Sequence, residues 1–148
     1  MSTHFSHILV PVDGSGAAGK AVEKAVVLAK TFQSQVTLMC VIDSYAFTGV
    51  GSDLAYAQED YLTAATAEAR QAVSSARKVF EDQGLTPATQ VVDGQVIYKS
   101  ILEAAAASQA DLIVMGSHGR KGLEKLVLGS VVAQVLAHTH LPVLVVRE

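Results

Sequence analysis

Tryptophan is absent from this chain, and cysteine occurs once, at Cys40. A single cysteine excludes an intrachain disulfide framework and a CxxC redox or zinc site. Phenylalanine and tyrosine together make up only 5% of the residues, too few for a platform that stacks unpaired bases. Neither sign of charge dominates. The net charge is −3, without the basic face and high pI of a nucleic-acid binder, so no nucleic-acid partner is expected. Long apolar runs are missing too. The mean hydropathy is +0.34, yet no stretch approaches the ~20 apolar residues of a spanning helix. The first residues lack the charged start and apolar run of a secretion signal. A soluble cytoplasmic protein with no membrane insertion is the expectation.

What is present fits one globular unit. Half of the 148 residues are hydrophobic and 17% are charged, which excludes intrinsic disorder. A domain typically takes ~100–200 residues. The expectation is therefore a single domain over 1–148, with a core that needs no metal or disulfide.

The apolar residues fall into five short runs. Ile8-Leu9-Val10-Pro11-Val12 ends at Asp13, and residues 36–42 end at Asp43. The weaker Thr89-Gln90-Val91-Val92 ends at Asp93-Gly94. Leu112-Ile113-Val114-Met115 ends at Gly116, and Val143-Leu144-Val145-Val146 comes last. They are β-branched and mostly not alternating, so both faces should be buried, as in parallel strands covered by helices. Between them lie helical stripes over 17–32, 54–80, 96–107 and 130–137. Gly84 and Pro87 mark the end of the second, and Ser130 reads as the N-cap of the last. Only residues 44–52, with Gly49 and Gly51, read as a flexible loop. The order β-α-β-α-β-α-β-α-β implies an α/β fold: an open five-stranded parallel sheet with helices on both faces and right-handed crossovers. Ligands of such sheets bind beyond the carboxyl ends of the strands, where strand order reverses.

Two glycine patterns follow strand ends. Gly14-Ser15-Gly16-Ala17-Ala18-Gly19-Lys20-Ala21 matches GxGxxG and approaches a Walker A loop. Ala21 lacks the hydroxyl that holds Mg²⁺ in a Walker A site. Asp13, just before the first glycine, would repel a pyrophosphate. The foremost reading is a turn of small residues into a helix, its glycines easing close packing. The second pattern, after the fourth strand, is stronger. Gly116, Gly119 and Gly129-Ser130 follow a G-x2-G-x9-G-S spacing. The first two leave backbone N–H groups open to a phosphate. Gly129-Ser130 opens a helix, whose unpaired N–H groups and dipole suit an anion. Arg120 and Lys121 add positive charge.

These residues carry a family resemblance. Ile8 to Asp13, Val41-Ile42-Asp43, Met115 to Gly119, Gly129-Ser130-Val131 and Pro142 to Val146 make the chain similar to the nucleotide-binding universal stress proteins, over essentially its whole length. The resemblance implies a Rossmann-like sheet of the adenine nucleotide alpha hydrolase-like type, with strand order 3-2-1-4-5. It implies that Asp13 and Gly116 flank the switch point. It also implies a role as a stress-response regulator or sensor that binds ATP or AMP, with Mg²⁺ or Mn²⁺ accompanying the phosphates. Pro11, Val12 and Asp13 would line the adenosine end, Asp13 accepting from ribose hydroxyls, and Val41 would present its backbone to adenine. Met115, Gly116, His118 and Gly119 would form the first part of the phosphate loop, with the charge of Arg120 beside it, and Gly129, Ser130 and Val131 would bind phosphates at the helix start. Val132 stands where some ATP-binding members carry a hydroxyl, which removes one polar contact. The last strand would pair with its symmetry mate in a homodimer, and the downstream protein partner is unknown. The alternative is a slow ATPase or autophosphorylating enzyme on the same site. Efficient phosphoryl transfer needs a positioned base and a metal clamp, and the sequence presents His118, Arg120 and Ser130 but no base aimed at water.

Four further features have plain structural readings. His138-Thr139-His140 looks like a metal pair but has no third ligand in the pattern, and reads as a helix C-terminal turn. Cys40 reads as a buried, inert thiol. Asp13 has a second role open to it, as a cap of the first helix. Tyr45, Tyr56 and Tyr61 either pack under the loop after strand 2 or close over the nucleotide.

Overall fold

The computed structural model describes residues 5–43, 55–119 and 128–148. The elements run β1 (His7–Pro11), α1 (Gly16–Phe32), β2 (Gln35–Asp43), α2 (Ala55–Glu81), β3 (Ala88–Gly94), α3 (Ile97–Ala107), β4 (Leu112–Gly116), α4 (Ser130–His138) and β5 (Val143–Val146). All sheet pairings are parallel, and the strand order is β3-β2-β1-β4-β5. The order implied by the family resemblance is therefore the one observed.

Alternation along the central strands divides the core in two. Ile8, Val10, Leu38, Cys40, Leu112 and Val114 face α1 and α2, together with Phe80. Leu9, Met39, Ile113 and Met115 face α3 and α4, against Ile101, Val132 and Val135. This explains the unbroken apolar runs, since Ile8 to Val10 and Leu112 to Met115 each meet a helix layer. Burying each such side chain contributes about 1.5–3 kcal/mol. The edge strands depart from the expectation of two buried faces. β3 is only half-buried at best, and Leu144 of β5 is 39% exposed. A strand at the edge has a helix over part of its surface only, so the rule for buried parallel strands fails there.

Local chemistry sets the helix ends. Ser15 caps α1, its side chain accepting from the Ala18 N–H at 3.1 Å. Beyond α2, Gly84 has φ +79°. The N–H groups of Gly84 and Leu85 donate back to Glu81 and Phe80, both at 3.0 Å, closing a Schellman turn. Ser130 is corrected: Gly129, with φ −65° and ψ 158°, takes the N-cap of α4, and Ser130 is the first helical residue. With no side chain to cap with, Gly129 leaves the helix start to other partners.

Candidate functional site

The order reverses between β1 and β4, and the backbone shows why a crevice opens there. The Val12 N–H donates to the Met39 carbonyl at 2.8 Å, so Val12 faces β2 and Pro11, by alternation, faces β4. Proline has no N–H to extend that ladder. Registered pairing of β1 with β4 stops at Leu9 and Ile113. Beyond them β4 turns toward β5, with the Ser117 N–H donating to the Val146 carbonyl at 2.9 Å. The two strands part, and a cavity of about 480 Å³ lies between their ends.

Two kinds of surface line it. Val41, Ile97, Ile101, Met115, Val131 and Val132 form an apolar wall, continuous with the core under α3 and α4. The lining also includes Pro11, Val12, Asp13, Gly116, His118, Gly119, Gly129 and Ser130. Eleven of the residues expected from the sequence thus meet in one cavity, and Arg120 lies outside the described residues, as does Lys121. Ala18, Asp43, Tyr61, Ile97, Ile101 and Val132 also line it. Ile97 and Ile101, four apart on the apolar stripe of α3, read as core from sequence. Only the packing of α3 over β2 and β3 turns part of that stripe toward the crevice. Tyr61 donates to the Asp43 carbonyl at 3.0 Å, which places it on the cavity rim. Tyr45 and the side chain of Tyr56 lie outside the described residues.

The glycines of the second pattern let three chain segments converge. A Cβ on Gly116 would lie 2.8 Å from the Ala17 backbone, one on Gly119 2.7 Å from Asp13 Oδ2, and one on Gly129 3.0 Å from His118 Cα. The Gly129 N–H donates to the Ser117 carbonyl at 2.8 Å, tying the start of α4 to the loop after β4. The first N–H groups of α4 have no partner within the helix. In the first pattern only Gly14, with φ +82°, needs glycine for its backbone. Gly19 has nothing within 4 Å of a Cβ position, so it does not ease packing as the sequence reading supposed.

Asp13 is not the cap of α1. Ser15 is the α1 cap, and Asp13 Oδ1 accepts from the Ser15 N–H at 2.9 Å, while Oδ2 faces Gly119. His118 has partners the sequence did not reveal. Its Nδ1 lies 3.2 Å from Ser117 Oγ, and its Nε2 lies 3.3 Å from Glu148 Oε2. The Ser-His-Glu sequence of contacts resembles a nucleophilic relay, but Ser117 is 2% exposed and cannot meet a substrate. Cys40 is buried among the β2 side chains. His138 Nδ1 lies 2.9 Å from the Gln134 carbonyl in the last turn of α4. Among the described residues no three His, Cys, Asp or Glu side chains come together to hold a metal, and no helix is long and apolar enough to cross a membrane.

Comparison with known proteins places this geometry in context. The model of the Universal stress protein family matches residues 4–147. The chain is similar to a universal stress protein of Methanocaldococcus jannaschii, MJ0531, at 34% identity, covering 97% of this chain and 83% of that protein. Among solved structures, the universal stress protein UspA from Lactobacillus plantarum superposes with a TM-score of 0.88 at 28% identity, over 99% and 100% of the two chains. A universal stress protein solved in complex with cAMP shares the fold, with a TM-score of 0.61 at 24% identity over 98% of each chain.

Proposed function

The chain belongs to the universal stress protein family, and from that premise we propose that it binds an adenine nucleotide, ATP or AMP, in the cleft at the carboxyl ends of β1 and β4. The observation that carries this reading is the division of the cleft. One half is apolar, and the other brings a glycine loop and the start of α4 together around Asp13. A cavity of about 480 Å³ is within the range of small-ligand sites. The base lies against Val41, Ile97, Met115 and Val131, its burial supplying the apolar part of the affinity. Asp13 accepts from ribose hydroxyls, a charge-assisted contact. The backbone of 116–119, the first N–H groups of α4 and the Ser130 hydroxyl hold the phosphates, helped by the helix dipole. Arg120, next in the chain after Gly119, adds charge. An Mg²⁺ or Mn²⁺ ion would draw its ligands mainly from phosphate and water, since Asp13 and Asp43 are the only carboxylates among the described residues that line the cavity. The cAMP complex of a protein with the same fold supports an adenine ligand.

The protein acts as a stress-response regulator or sensor in the cytoplasm, as one domain over 1–148, through its bound state rather than through turnover. β5 is the edge of the sheet, with Leu144 exposed. An apolar open edge favours strand pairing, so the protein is a homodimer through β5. Isothermal titration with ATP and AMP, with mass spectrometry of ligand released on denaturation, tests the reading. Binding of either nucleotide supports it. No bound nucleotide and no heat of binding would overturn it. Steady ATP hydrolysis lost in Ser130→Ala would favour the enzymatic alternative.

A further inference from the structure

We propose that Glu148, remote from the cavity in sequence and not part of its wall, is a positioning residue for the loop 116–119 and the start of α4. The inference rests on the reading that this loop faces phosphate. Glu148 follows β5, and its carboxylate is held from two sides. On one side, Oε2 is 3.3 Å from Nε2 of His118, whose side chain is only 9% exposed. On the other, the carboxylate lies against Gly16, the first residue of α1, where a Cβ would strike it. The first turn of α1 carries no acidic residue of its own. A carboxylate there is favoured by the helix dipole. The Glu148 side chain is 42% exposed, yet it has a defined seat.

That seat determines the histidine. A carboxylate only accepts, so Nε2 carries the proton that faces it. In the neutral ring Nδ1 then accepts from the Ser117 hydroxyl, 3.2 Å away. Ser117 in turn donates its N–H to Val146 and accepts at its carbonyl from the Gly129 N–H. Gly129 packs against His118 Cα, with no room for a Cβ between them. The contacts run without a break from the start of α1 through Glu148, His118 and Ser117 to the N-cap of α4. Both donor groups proposed for phosphate, the loop and the helix start, are aligned by this chain. The apolar wall belongs to the α3–α4 side of the core and takes no part in it.

The effect of losing Glu148 is therefore selective. In Glu148→Ala the ring loses its outer anchor, and affinity for ATP falls about ten-fold, the order of one lost hydrogen bond to a charged group. Affinity for adenosine, which meets the apolar wall and not the loop, stays nearly unchanged. Titration of wild type, Glu148→Ala and Glu148→Gln with ATP and adenosine reads this directly. Glu148→Gln keeps an accepting oxygen and should fall between the other two. An unchanged ATP affinity in Glu148→Ala overturns the proposal, and so does an equal loss for adenosine and ATP, which would mean general damage. Amide hydrogen exchange of the unliganded proteins gives a readout independent of nucleotide. The Gly129 amide should exchange at least about ten-fold faster in Glu148→Ala while core amides of β1 and β4 keep their protection. If wild type binds no nucleotide, the functional reading fails, and equal Gly129 exchange in the two proteins then also sinks the positioning role.

Discussion

Replacing Gly119 by alanine tests the geometry of the site with a single methyl group. The new Cβ would stand 2.7 Å from Asp13 Oδ2. Ordinary contact begins at 3.4 Å, so the carboxylate must retreat by at least about 0.7 Å. It cannot move freely, because Oδ1 accepts from the Ser15 N–H at 2.9 Å, just ahead of α1. Either that bond lengthens or Oδ2 turns away from the cavity. In both cases Asp13 no longer meets a ribose hydroxyl at its resting position. A hydrogen bond to a charged group is worth about 1.5–3 kcal/mol. At about 1.4 kcal/mol per decade, Kd for ATP or AMP should rise roughly 10- to 150-fold. Stability should hardly respond. Gly119 is exposed and does not have a positive φ, so the folding cost stays within about 0.5 kcal/mol and Tm moves by no more than about 2 °C. Isothermal titration beside a thermal melt separates the two effects. Asp13→Asn, alone and combined with Gly119→Ala, should give losses that do not add, because both act through one carboxylate. Unchanged nucleotide affinity in Gly119→Ala would refute the ribose role of Asp13. A fall in Tm beyond about 5 °C would show instead that the position is structural.

Other positions give contrasting outcomes. Gly116→Ala places a Cβ 2.8 Å from the backbone of Ala17, which cannot swing aside. Overpacking of this kind costs about 1–3 kcal/mol, so a thermal melt should show Tm lower by about 2–12 °C; a wild-type melt would contradict the close approach of β4 and α1. Gly19→Ala, with open space around its Cβ position inside α1, should instead stabilise by about 0.8–1 kcal/mol through helix propensity and leave ATP affinity unchanged. Loss of binding there would give the first glycine pattern a part in holding the nucleotide. Leu144→Lys places a charge on the exposed edge strand, a device that blocks strand pairing. Sedimentation should then report a monomer, and a persistent dimer would move the interface away from β5.

The element order and the loop of the site were readable because their signals are local. Short apolar runs alternating with helical stripes mark strands and helices at any point along a chain. The G-x2-G-x9-G-S spacing marks a loop and the helix after it. Local reading failed where a residue has more than one neighbour to choose from. Ser130 looked like a cap by type, yet Gly129 holds the cap because its backbone is the extended one. Ile97 and Ile101 sit on a stripe that serves core and cavity alike.

The sequence by itself determined an α/β chain of five parallel strands, with a glycine-rich loop after the fourth, since periodicity and glycine spacing need no distant partner. Only the tertiary structure decided how wide the crevice is, which isoleucines wall it, and what holds His118. Glu148 stands thirty residues beyond that histidine, and no pattern in the chain joins them. They meet because β4 and β5 lie side by side in the sheet, and strand order is a property of the assembled fold.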